Sequence, residues 1–173
     1  MNLPNRITLS RILMIPVLLV LMAGDSEAYR LAAAAVFGVA ALTDFVDGLL
    51  ARRRQEVTDF GRFIDPIADK LLVLLPLIML CWQRADVSVA AVLIMLAREI
   101  IVSGFRLVAA GRGSIIAAEW SGKIKTLLQL LAVLLLILRL PYGYHAAWLA
   151  AILSAYSGVE ILVRNRAVLE EAL

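Results

Sequence analysis

Six apolar runs, each close to the length of a membrane-crossing helix, constrain this chain more than any other feature. They extend from Ile7 to Ala23, Tyr29 to Ala51, Arg62 to Trp82, Val87 to Ala110, Trp120 to Arg139 and Tyr144 to Val163. A bilayer core about 30 Å thick takes roughly 20 apolar residues in a helix. The connections are short and hold the turn and charge signals, as in Gly24-Asp25-Ser26-Glu27. A soluble helical bundle is the competing reading, but its helices need a polar face, and the run from Leu127 to Leu138 has none. A composition of 62% apolar and 18% charged residues departs from soluble domains in the same direction. The expected fold is all-α, a polytopic membrane protein with six transmembrane helices. At 173 residues the chain has room for one membrane domain, 1–173.

Orientation follows from the basic residues. Twelve of the 17 Lys and Arg lie at the N-terminus, in the Arg52–Arg62 loop, in the Arg106–Lys125 region and at the C-terminus. The other three loops hold one each, Arg30, Arg84 and Arg139, while Lys70 and Arg98 lie within helices. The excess of Lys and Arg on cytoplasmic loops puts both termini and the Arg52–Arg62 loop in the cytoplasm. Arg6 and Arg11 ahead of an apolar run also resemble a cleaved signal peptide. Cleavage there would strip one inside-anchored helix and leave the remainder with an awkward start.

Residue counts narrow the chemistry. One cysteine, Cys81, excludes an intrachain disulfide and a cysteine-cluster metal site, and one histidine, His145, rules out a His-rich metal centre. Acid–base work therefore falls to carboxylates or lysine. Charges inside transmembrane helices are costly and usually functional, and four aspartates stand out. Asp44 and Asp47 lie near the cytoplasmic end of the second run, Asp65 and Asp69 near the start of the third. Spacings of three and four put each pair on one face of its helix. One short loop joins the two helices, so they are expected to be antiparallel neighbours with the carboxylate pairs facing each other.

Such a cluster repels itself without cations. Two divalent ions would roughly neutralise it, and all-oxygen ligation suits Mg²⁺ or Mn²⁺ better than zinc. A structural ion network with Lys70, Arg98 and Arg52 to Arg54 is the plainer alternative. The neighbours favour a ligand site. Gly48 lets a ligand approach the helix backbone, Ala51 is small one turn further on, and Arg52 carries a charge fork suited to phosphate oxygens. Together these residues describe a metal–diphosphate cradle.

From Asp44 to Asp69 the chain reads DFVDGLLARRRQEVTDFGRFIDPIAD, which fits D-x2-D-G-x2-A-R-x8-G-x3-D-x3-D at every fixed position, Gly61 included. In this motif and in its six-helix plan the chain resembles the CDP-alcohol phosphatidyltransferases. Four further segments, PNRITLSR, FIDPIADKLL, AREIIVSGFR and SGKIKTLLQ, look most like the bacterial members that use glycerol 3-phosphate. The resemblance implies a two-metal site of Asp44, Asp47, Asp65 and Asp69, with Asp44 and Asp65 bridging and Asp69 also acting as general base. It implies that Gly48, Ala51, Arg52 and Thr58 hold the CDP group of CDP-diacylglycerol, and that Asn5 and Thr8 form an N-terminal nucleotide contact. Read by themselves, Asn5, Thr8 and Thr58 are equally a helix cap or loop polar residues.

The implied reaction joins CDP-diacylglycerol to sn-glycerol 3-phosphate, giving phosphatidylglycerol phosphate and CMP. The same resemblance implies a homodimer in the bacterial inner membrane, with the active site facing the cytoplasm and no nucleic-acid partner. An anionic acceptor needs cations, and Arg98, Arg106, Lys123 and Lys125 are the candidates. Arg106 and the two lysines serve equally well as positive-inside anchors, and Glu99 is an available structural partner for Arg98. Glu160 and Arg164 are spaced to pair along the last helix. Inositol phosphate or serine is the alternative acceptor. A divalent-cation transporter is the distant one, disfavoured because transporter sites lie near the midplane on broken helices.

Overall fold

The computed structural model of the protein describes residues 3–54, 59–114, 116 and 120–166, with the side chains of residues 3–7, 44–54 and 59–63 outside that description. Six helices follow the six apolar runs: α1 (Leu3–Met22), α2 (Glu27–Arg54), α3 (Asp59–Gln83), α4 (Val89–Gly111), α5 (Trp120–Ile137) and α6 (Gly143–Arg164). No strand occurs among the described residues. Ser88 caps α4, its hydroxyl accepting from the Ala91 amide at 3.3 Å, which satisfies one of the donors that a helix start leaves open.

The helices form two groups of three. In the first, Ile15, Leu18 and Met22 recur at helical spacing on the buried face of α1, and Ala33, Ala34, Phe37 and Ala40 do so on α2. Alanines let helix backbones approach closely. As a result α1 packs extensively against both α2 and α3, while direct contact between α2 and α3 among the described residues is slight. The expected α2–α3 neighbour pair is thus mediated by α1, whose apolar face both helices share. In the second group α6 packs on α4 and α5 through Ala147, Ala150, Ala151, Ser154, Ser157 and Gly158, again a face of small residues.

Polar contacts fix the relative direction of the helices. The Gln83 amide donates to the Met22 carbonyl at 2.8 Å, and the Arg84 guanidinium donates to the Leu136 carbonyl at 2.6 Å. Carbonyls in the last turn of a helix have no partner within it, so the end of α3 completes the ends of α1 and α5. The starts of α1, α3 and α5 therefore share the opposite end of the bundle with the ends of α2, α4 and α6. That end carries the aspartate motif.

Among the described residues two helices, Trp120–Ile137 and Gly143–Arg164, are long and apolar enough to cross a membrane, and the apolar stretch Thr8–Met22 of α1 is shorter. Helix α4 carries three charges, Arg98, Glu99 and Arg106, along its length.

Candidate active site

Five helices, α1 and α3 to α6, position the described side chains, and α1 contributes more than its sequence promised. On α3, Asp65 and Asp69 lie one turn apart and present one face. Thr8 and Arg11 on α1 are three residues apart and meet that face in register. The Thr8 hydroxyl donates to Oδ1 of Asp65, and Nη1 of Arg11 donates to Oδ1 of Asp69 at 2.7 Å. The Arg11 side chain is 2% exposed, whereas that of Asp69 is 43% exposed. A guanidinium taken out of water needs a carboxylate to offset its desolvation, and Asp69 supplies it while keeping an open side.

Sequence reasoning gave Arg11 a place in the N-terminal topology signal and in the PNRITLSR segment, but no partner in the site. The available signal was its spacing from Thr8, which matches within one residue the spacing of Asp65 from Asp69. Thr8 itself, taken as a nucleotide contact by resemblance, is buried and bound to Asp65.

The remaining motif residues are placed as backbone only. Asp44, Asp47, Gly48, Ala51 and Arg52 lie on the last turns of α2, and Asn5 lies on the first turn of α1. Their side chains, and Thr58 altogether, lie outside the described residues. Among the described residues no three His, Cys, Asp or Glu side chains gather as a metal centre, two of the four predicted ligands being outside that description. The donor set still fits hard divalent cations: Asp65 and Asp69 offer carboxylate oxygens on one helix face, and the Asp69 side is accessible.

The predicted acceptor cations divide into two kinds. Arg98 and Lys125 converge on one carboxylate, Glu99, which accepts from Nη1 of Arg98 at 3.3 Å and from Nζ of Lys125. All three side chains are less than a tenth exposed. Nη2 of Arg98 also donates to the Ser157 hydroxyl at 3.0 Å, which in turn donates to the Ser154 carbonyl at 3.1 Å. Gly158 makes room for this arrangement, since a Cβ there would stand 2.9 Å from Cγ of Arg98. Arg106 and Lys123 are exposed instead, and Lys123 lies over the Trp120 ring, 5.3 Å from its centroid. Lys70, unassigned in the sequence apart from a structural pairing, donates to the Ser103 hydroxyl at 2.5 Å. Glu160 and Arg164 pair at 3.0 Å, as their spacing predicts.

Residues 1–156 match the family model described as CDP-alcohol phosphatidyltransferase. A protein of Bacillus subtilis (strain 168) is 40% identical over 95% of this chain and 95% of its own length. One of Rickettsia bellii (strain RML369-C) is 39% identical over 91% of both, and one of Sodalis glossinidius (strain morsitans) is 36% identical over 96% of both. All three are named CDP-diacylglycerol–glycerol-3-phosphate 3-phosphatidyltransferase. With a family match that takes in the whole aspartate motif and relatives that align along nearly their full length, the chain belongs to the CDP-alcohol phosphatidyltransferase family.

Proposed function

We propose that this protein transfers the phosphatidyl group from CDP-diacylglycerol to sn-glycerol 3-phosphate, forming phosphatidylglycerol phosphate and releasing CMP. The observation that carries the reading is the near full-length similarity to relatives named for that reaction. The braced carboxylates of α3 supply a physical basis for it. The acceptor hydroxyl gives its proton to Asp69 and attacks the β-phosphorus; a new P–O bond forms as the bond to CMP breaks. Arg11 holds Asp69 by one oxygen, so the carboxylate meets the hydroxyl in a set orientation, a contribution of alignment. Asp44, Asp47, Asp65 and Asp69 would hold two divalent cations, Mg²⁺ or Mn²⁺, whose charge would neutralise the diphosphate and the departing CMP. Arg52, Gly48, Ala51 and Thr58, with Asn5 and Thr8, line the CDP side of this reading. The acceptor's phosphate lies toward the cations of α4 and α5, Arg98, Arg106, Lys123 and Lys125.

The same reading makes all six helices transmembrane in one domain, both termini cytoplasmic, in a homodimer of the bacterial inner membrane. Large apolar side chains are exposed on every helix, among them Val20, Leu42, Ile78, Leu107, Leu127 and Val163, an outer surface suited to lipid and not to water. Trp82, Trp120 and Tyr142 stand exposed at helix ends, where interfacial aromatics collect.

Sealed membrane vesicles test reaction and orientation together. Inverted vesicles given CDP-diacylglycerol and labelled glycerol 3-phosphate are expected to make a labelled lipid bearing a phosphate monoester, and a chelator of divalent cations should stop it. Right-side-out vesicles should make none. Labelled product from serine or inositol phosphate alone would refute the acceptor, and product from right-side-out vesicles alone would refute the orientation.

A further inference from the structure

The cations on the acceptor side are unequal in one respect that bears on recognition. Arg98 and Lys125 share Glu99 inside the bundle, so much of their charge is already answered. Lys70 is different. It follows Asp69 directly on α3, is part-buried, and among the described residues its ammonium meets a neutral hydroxyl, that of Ser103 on α4, at 2.5 Å. Ser103 in turn donates to the carbonyl of Glu99, which ties Lys70 to the helix that carries the Glu99 network. Successive residues on a helix diverge by about 100°. Lys70 therefore leaves α3 toward α4, while Asp69 leaves it toward α1. An ammonium within a membrane helix whose hydrogen-bond partner among the described residues is a hydroxyl carries a desolvation cost that an anionic ligand would relieve.

We propose that Lys70 is the specificity-determining residue for the acceptor's phosphate monoester, with Ser103 positioning its ammonium and the Glu99 network supporting that positioning. This deepens the function proposed above and rests on it. Asp69 and Lys70 then form a two-ended acceptor site: the carboxylate takes the reacting hydroxyl, and the ammonium takes the charged far end. Acceptors without a phosphate lose the second contact.

Steady-state kinetics with both substrates varied test this. Lys70→Ala should raise the KM for glycerol 3-phosphate by about tenfold or more, the size expected when a charge-assisted contact is lost. The KM for CDP-diacylglycerol should stay within about twofold, since that contact is made elsewhere. Lys70→Arg should restore most of the acceptor affinity, and Ser103→Ala should fall between Lys70→Ala and the wild type. Lys70→Met, which keeps the aliphatic stem, gives the same reading if the alanine variant fails to fold. A structural role predicts instead that both KM values move together and that arginine rescues neither. That result overturns the proposal, as does an unchanged acceptor KM in Lys70→Met or Lys70→Ala. The wild type run alongside separates the two claims: no turnover with glycerol 3-phosphate sinks the acceptor reading and Lys70 with it, whereas normal turnover with an unmoved KM in the variants sinks Lys70 alone.

Discussion

Between α1 and α3 an almost wholly buried arginine meets a carboxylate that remains 43% exposed, whereas between α4 and α5 the paired lysine and glutamate are 6% and 9% exposed. Both pairs satisfy a charge that the interior of the bundle would not tolerate alone, but they do so to different ends. A pair closed on all sides holds its helices together, and its desolvation offsets much of the attraction between its partners. A pair with one open face keeps a charged oxygen oriented yet reachable. The comparison teaches that exposure, more than the presence of a charge, separates the two pairs: the carboxylate proposed as the base is open and the one between α4 and α5 is closed.

The largest effect is expected at the open side. Asp65→Asn keeps an acceptor for the Thr8 hydroxyl but removes a negative charge, so the protein should fold while turnover drops by about 100-fold or more, the scale for losing a transition-state stabiliser. Turnover above about a tenth of wild type in a well-behaved protein would erase the distinction, because Asp65, on the same face as the open Asp69, would then be scaffold too.

The closed side should answer in stability. Glu99→Gln leaves Arg98 and Lys125 without a counter-charge, and breaking a buried ion pair by removing one partner costs about 3–5 kcal/mol. Thermal unfolding in detergent should show that loss, and the double change Glu99→Gln with Lys125→Met should recover part of it, because the second substitution removes one of the stranded charges. A full-strength Tm in Glu99→Gln would mean that the network is not closed as described.

The smallest effect sharpens the packing around Arg98. Gly158→Ala would place a Cβ 2.9 Å from Cγ of Arg98, while a Cβ at Gly104 meets nothing within 4 Å. Overpacking of this kind costs about 1–3 kcal/mol, whereas alanine in an open helical position is favoured over glycine by about 1 kcal/mol. The two variants should therefore shift Tm in opposite directions, and equal shifts would show that Arg98 is not held against α6.

Much of the fold was legible before any coordinates. The six helices begin and end within a few residues of the six apolar runs, since hydrophobic length and the charged breaks between runs are local properties. The shared face of Asp65 and Asp69 was equally legible, being a matter of helical period. The neighbourhood of α2 and α3 was not. A short loop places two helices near each other without saying which third helix sits against both, and α1 occupies that place through an apolar face indistinguishable in the sequence from the others.

What the sequence alone determined is the set of helices, the spacing of the acidic motif and the membership of the family. Only the tertiary structure decided that Arg11 serves Asp69, that one glutamate gathers both Arg98 and Lys125, and that Lys70 turns to Ser103. The physical reason is that periodicity and motif spacing are written along a single helix. Ion pairing depends on which faces of distant helices meet, and small residues such as Ala33, Ala40 and Gly158 choose those faces by close packing, with no charge pattern to announce the choice.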